Sequence, residues 1–166
     1  SNVIQVKSGS GANGLLASAG GKDGTIRVWH VELMQHLLTL DAPPSAGECD
    51  TLAFSSTAGA DNNLIAGGFE DGSLWKYDIS SVIAGGGKGI KVLHTDVTPA
   101  VKVNAHQSSV TATTFMMVED TLIIVSGSSA GELSIHDGRF IKNNKDGSST
   151  ARPSVNLNSP HSGNKI

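Results

Sequence analysis

Cysteine, aromatic rings and charge are all scarce in this sequence. The one cysteine, Cys49, excludes an intrachain disulfide framework and any zinc knuckle built on paired cysteines, and it fits a reducing compartment. Aromatic residues make up 4% of the chain and charged residues 16%, and the net charge of −3 offers no basic field for nucleic acid. No apolar run is long enough to span a bilayer, no secretory h-region is visible, and no Asn-x-Ser/Thr sequon occurs. His30, His36, His94, His106, His136 and His161 show neither HxxxH nor HExxH spacing, so neither a metal nor another cofactor is expected.

Small and turn-forming residues are abundant. The 20 glycines among 166 residues, with many Ser, Thr, Ala and Asn, suit short strands joined by turns. Three segments align around such a turn: "LLASAGGKDGTIRVWH" (15–30), "LIAGGFEDGSLWKYD" (64–78, one gap) and "LIIVSGSSAGELSIHD" (122–137). Each is an apolar strand, a polar turn with Gly, and a second strand closing on a ring and a polar residue. The turn glycines Gly24, Gly72 and Gly131 supply the positive φ of a tight hairpin. Further strand candidates precede each pair at 2–6, 49–55 and 109–117, and follow it at 36–40, 100–104 and 154–158. Each unit therefore holds four antiparallel strands, here termed a to d, and the class is all-β.

These units resemble WD-repeat blades of a β-propeller. The resemblance implies a structural signature of a His before strand a, a Ser or Thr on b, an Asp in the b–c turn and a Trp on c. The first unit carries Ser18, Asp23 and Trp29. The second carries Asp71, with Tyr77 for Trp and Gly67 for Ser. The third carries His106 and Ser126, with Ala130 for Asp and His136 for Trp. The organisation expected is a partial propeller over 1–166: a blade at 1–40, a blade at 49–104 with a loop at 80–99, a blade at 109–158 with a loop at 138–153, and the start of another at 161–166, led by His161. Propellers close with about four to eight blades, so further blades or partner chains are expected to complete the ring.

Catalytic readings fail on spacing. "AGGGKGI" (84–90) lacks the Gly-Lys-Ser/Thr order and the helix of a phosphate loop. Cys49 lies between Glu48 and Asp50, which raise a thiol pKa. His30 occupies the strand end held by Asp78 and Asp137 in the other units. No catalytic residue is assigned. The long connections at 56–63, 80–99 and 138–153 all join a to b or c to d, so they emerge on one face; their composition favours disorder over a partner surface. Trp75 and Lys76 are the alternatives for such a surface, although a Trp packed on the next blade with a snorkelling Lys is the preferred reading. Ser159-Pro160 and Thr98-Pro99 are weak candidates for proline-directed phosphorylation.

Within the WD-repeat family, four features in order are similar to the scaffold subunits of target-of-rapamycin kinase complexes. They are strand c with Trp29, Ser45 to Cys49, "AGGFEDGSLWKYD" at 66–78 and "IVSGSSAGELSIHDGR" at 124–139. That resemblance implies a non-catalytic protein–protein interaction scaffold within a multi-subunit complex, cytoplasmic and also nuclear or lysosome-associated, with that kinase as a partner. The alternatives are a substrate receptor of a ubiquitin ligase, or a propeller subunit of an RNA-processing or ribosome-assembly complex. Direct nucleic-acid binding, a small-molecule ligand and a membrane span are not expected.

Overall fold

A computed structural model describes residues 3–8, 14–20, 23–41, 44–55, 64–80, 101–138 and 155–157. They form twelve strands in three four-stranded antiparallel sheets, each a meander in chain order. Blade 1 contains β1 (Val3–Ser8), β2 (Leu15–Gly20), β3 (Ile26–His30) and β4 (Gln35–Leu40). Blade 2 contains β5 (Cys49–Phe54), β6 (Leu64–Phe69), β7 (Ser73–Asp78) and β8 (Val101–Asn104). Blade 3 contains β9 (Val110–Val118), β10 (Thr121–Ser128), β11 (Leu133–Asp137) and β12 (Val155–Leu157). The a-to-d order expected for each unit is thus present. The loops at 56–63 and 80–99, all but the first residue of 138–153, and the blade start at 161–166 lie outside the described residues, apart from Ser80.

The b–c hairpins follow from their glycines. Gly24, Gly72 and Gly131 have φ of 62°, 82° and 83°, a region that other residues enter only at a steric cost. Gly72 has a second constraint. A Cβ there would lie 2.3 Å from the His106 carbonyl oxygen, and the Gly72 carbonyl in turn accepts a hydrogen bond from the His106 amide. The turn of blade 2 is therefore stitched to the segment that opens blade 3.

Blades stack in chain order: β1 and β2 lie against β5, and β5 and β6 lie against β9. Burial follows this stacking. Every residue of β6 is buried, because blade 2 is covered on both faces. Strand β10 alternates buried and half-buried residues along its whole length, with Leu122, Ile124, Ser126 and Ser128 on the buried side. The first seam packs Ile26, Val28, Leu38 and Leu40 against Ile65, Phe69, Trp75 and Tyr77. Full burial of each such side chain contributes about 1.5–3 kcal/mol. The second seam has a smaller apolar cluster of Ala53, Ala66, Leu74, Ala105 and Ile124.

Two glycines allow this close approach. A Cβ at Gly67 would meet the Ile26 Cδ1 of blade 1 at 2.7 Å, and one at Gly68 would meet Val110 Cγ1 of blade 3 at 2.6 Å. The missing Ser at position 67 is thus a packing requirement: the fully buried Ile26 side chain occupies the space beside its backbone.

Candidate functional site

Strand register places the ring-bearing positions together. Trp29 pairs with Leu16, Tyr77 with Ile65, and His136 with Ile124. Ser18, Gly67 and Ser126 sit one inward-facing step along strand b, two residues after those partners. The equivalent positions carry three different polar arrangements.

In blade 1 the Trp29 indole N–H donates to Ser18 Oγ at 3.0 Å, and the ring lies 5.0 Å from that of His36. Asp23 stands in the turn, where it accepts from the Thr25 amide at 3.2 Å and pairs with the Arg27 guanidinium at 3.0 Å. His30 closes the c–d turn by accepting the Leu33 amide on Nδ1 at 3.3 Å.

In blade 2 the network shifts along strand c. Asp71 accepts both the amide and the hydroxyl of Ser73, and Ser73 Oγ accepts the Trp75 indole N–H at 2.9 Å. Lys102 completes it from strand d, 3.3 Å from Asp71 and 5.6 Å from the Trp75 ring centroid. Trp75 thus takes over the indole's role two residues before the usual position. Tyr77 fills that position with a fully buried ring whose hydroxyl meets no partner among the described residues.

In blade 3, His106 and Ser126 share a hydrogen bond of 2.9 Å. In place of a carboxylate at Ala130, Glu132 brings its Oε2 to 3.3 Å from His106 Nδ1, within ion-pair distance but not aligned for a hydrogen bond. Glu132 also accepts from the Gln107 amide at 3.4 Å and from Ser128 Oγ at 3.3 Å. Sequence reading passed over Glu132, and over Ser73 with Trp75. The signals were an acid displaced by two residues, from Ala130 to Glu132, and an indole displaced by two, from Tyr77 to Trp75.

Glu132, His106 and Ser126 stand in the order of a hydrolase triad, but their setting excludes a nucleophile. Ser126 is 1% exposed and the His106 side chain is fully buried, so no substrate carbonyl reaches the hydroxyl. Cys49 is equally enclosed. Burial, against a hydrogen bond to the Thr51 carbonyl and with the Asp50 charge, pushes its thiol up to about 12. No group of three metal-ligating side chains occurs among the described residues.

Trp75 and Lys76 are 8% and 7% exposed, so neither presents a surface anchor in this chain. Trp75 packs in the first seam. Lys76 does not snorkel to water: its ammonium donates to the Asp137 carbonyl of blade 3 at 2.9 Å. His161 lies outside the described residues. The exposed apolar side chains are elsewhere. Val31, Leu33 and Met34 stand on the c–d turn of blade 1, and Met116, Met117 and Val118 lead into the a–b turn of blade 3. In antiparallel meanders the a–b and c–d turns share one end of the sheets, so both groups stand at that end, one on blade 1 and the other on blade 3. Met34 is 89% exposed, with φ of 51°.

No known family's sequence profile matches the chain, and no curated protein is similar to it in sequence. Its fold is widespread, with 505 similar solved chains, so the likeness alone selects no activity. One of them, in a structure described as the crystal structure of the mitotic checkpoint complex, has a TM-score of 0.59 and 20% identity over 92% of this chain. The fold is that of a β-propeller, of which the described residues supply three blades. The chain covers 38% of the length of that solved chain.

Proposed function

We propose that this chain is a segment of a non-catalytic interaction scaffold, and that its rim of Val31, Leu33, Met34, Met116, Met117 and Val118 meets a protein partner. The observation that carries the reading is the separation of roles. The His, Ser, Trp and carboxylate groups described above serve blade structure, while six of the seven exposed large apolar side chains among the described residues stand at one end of the sheets, Leu133 being the exception. Such side chains mark contact surfaces when they cluster.

The finer reading is a role like that of raptor, the scaffold subunit of target-of-rapamycin complex 1, in the cytoplasm. It rests on the order of the four sequence features from Trp29 to Arg139. Affinity capture of the chain from cell extract tests both levels. Recovery of the kinase supports the raptor-like role. A different stoichiometric partner, lost on Met34→Asp or Met116→Asp substitution, supports the scaffold and rejects raptor. Partner capture unaffected by both substitutions rejects the rim.

A further inference from the structure

The two seams between blades differ in kind. The first is closed by large aliphatic and aromatic side chains, with Val28 on strand c facing blade 2. At the corresponding place in the second seam stands Lys76, buried, its ammonium held by the Asp137 carbonyl across the seam. Other polar contacts cross there too. Thr51 and Thr113 hydroxyls meet at 3.3 Å, and the Ser109 hydroxyl donates to the Asp50 carboxylate. Facing this seam from blade 3 is His136, 6% exposed, in the place of an indole. Among the described residues neither of its ring nitrogens finds a hydrogen-bond partner.

A neutral imidazole tolerates that setting; an imidazolium does not. The groups that act on it are Lys76 from β7 and His106 from the segment before β9, and both disfavour a charge on its ring. Of the nearby carboxylates, Glu132 is engaged by His106, Ser128 and Gln107, and Asp137 acts on Lys76. We infer that the seam between blades 2 and 3 is an acid-labile joint: protonation of His136 releases blade 3 while the apolar seam between blades 1 and 2 stays closed. The released surfaces are the Ala53, Ala66, Leu74 face of blade 2 and the Ile124 face of blade 3.

The direction of the pH effect follows from the environment. Burial first, then His106 and Lys76, lower the imidazole from 6.5 to about 4. Its stabilisation of the closed seam is complete above about pH 6.5 and is lost as the pH falls from there toward about 4. Opening takes up one proton in that window, so the opening constant rises about tenfold per unit of pH.

Hydrogen exchange on the chain, corrected for intrinsic rates, from about pH 7 to about pH 5 tests this. The expected result is that amides of β9, β10 and β11 lose protection about tenfold per pH unit below about pH 6.5, while those of β2, β3, β6 and β7 keep theirs. His136→Phe is expected to flatten the dependence, and Lys76→Met to narrow its window. Parallel loss of protection in all three blades, constant protection in blade 3, or an unchanged slope in His136→Phe overturns the proposal. If His136→Phe does not fold, the profile of the unsubstituted chain alone still decides.

Discussion

Removing the Tyr77 hydroxyl should stabilise the protein. In blade 1 the equivalent ring, Trp29, finds the Ser18 hydroxyl; in blade 2 that place belongs to Gly67, which has none to offer. The Tyr77 oxygen is therefore buried without a partner among the described residues, and burial also drives its pKa strongly upward. A buried hydroxyl left unpaired costs about 1–3 kcal/mol of lost hydration. Tyr77→Phe removes that cost and keeps the ring against the first seam. The oxygen-sized void it leaves, about 12 Å³ at about 24 cal/mol per Å³, takes back about 0.3 kcal/mol. The net gain expected is about 1–2 kcal/mol. Urea unfolding followed by circular dichroism should show a higher midpoint with an unchanged slope. At about 2–4 °C per kcal/mol for a chain of this size, Tm should rise by about 2–8 °C. A loss of stability would refute the reasoning, because it would mean that the hydroxyl has a partner and that the Gly67 exchange was compensated.

Three further outcomes follow from the same physics. Gly72→Ala should cost about 2–4 kcal/mol, from its positive φ and from overpacking against the His106 carbonyl; urea midpoints measure it, and a near-neutral result would contradict the stitched turn. Glu132→Ala should cost about 1–3 kcal/mol by leaving Ser128 and the Gln107 amide without their acceptor and His106 without its carboxylate, whereas Glu132→Gln, which keeps an acceptor oxygen, should lose less. Cys49 should resist maleimide in the native protein at about pH 8, since a thiol pushed up to about 12 offers almost no thiolate, and should label promptly in denaturant; fast native labelling would show that the seam around it opens.

Sequence carried the architecture well because it is written in periodicity and punctuation. The apolar runs, the glycines at 24, 72 and 131, and the flanking strands located all three blades, and the observed ladders start or stop within two residues of the expected strands. The polar networks were only half legible. Ser18 with Trp29, and His106 with Ser126, are hydrogen-bonded at the positions the sequence resemblance implied. Glu132 and the Ser73–Trp75 pair were missed because position-by-position comparison treats a shift of two residues as a loss. In a strand, that shift keeps the side chain on the same face, so the chemistry survives it. The burial of Lys76 was illegible for a different reason. Its partner is a backbone carbonyl in another blade, and no local pattern encodes a contact between residues so distant in the chain.

The pairing of Ile26 with Gly67 has a consequence for how such a chain can diversify. A tandem array whose units were interchangeable would tolerate duplication, deletion or reordering of any one of them. Here the bulk that fills one joint protrudes from the first unit and its recess lies in the second. Ser126, at the matching place in the third unit, offers no such recess, and Lys76 calls for a carbonyl where Val28 needs grease. Each unit is thus addressed to its own neighbour. A transplanted or duplicated copy would bring its fold along but find the wrong counterpart at the joint, which keeps the units in a single order.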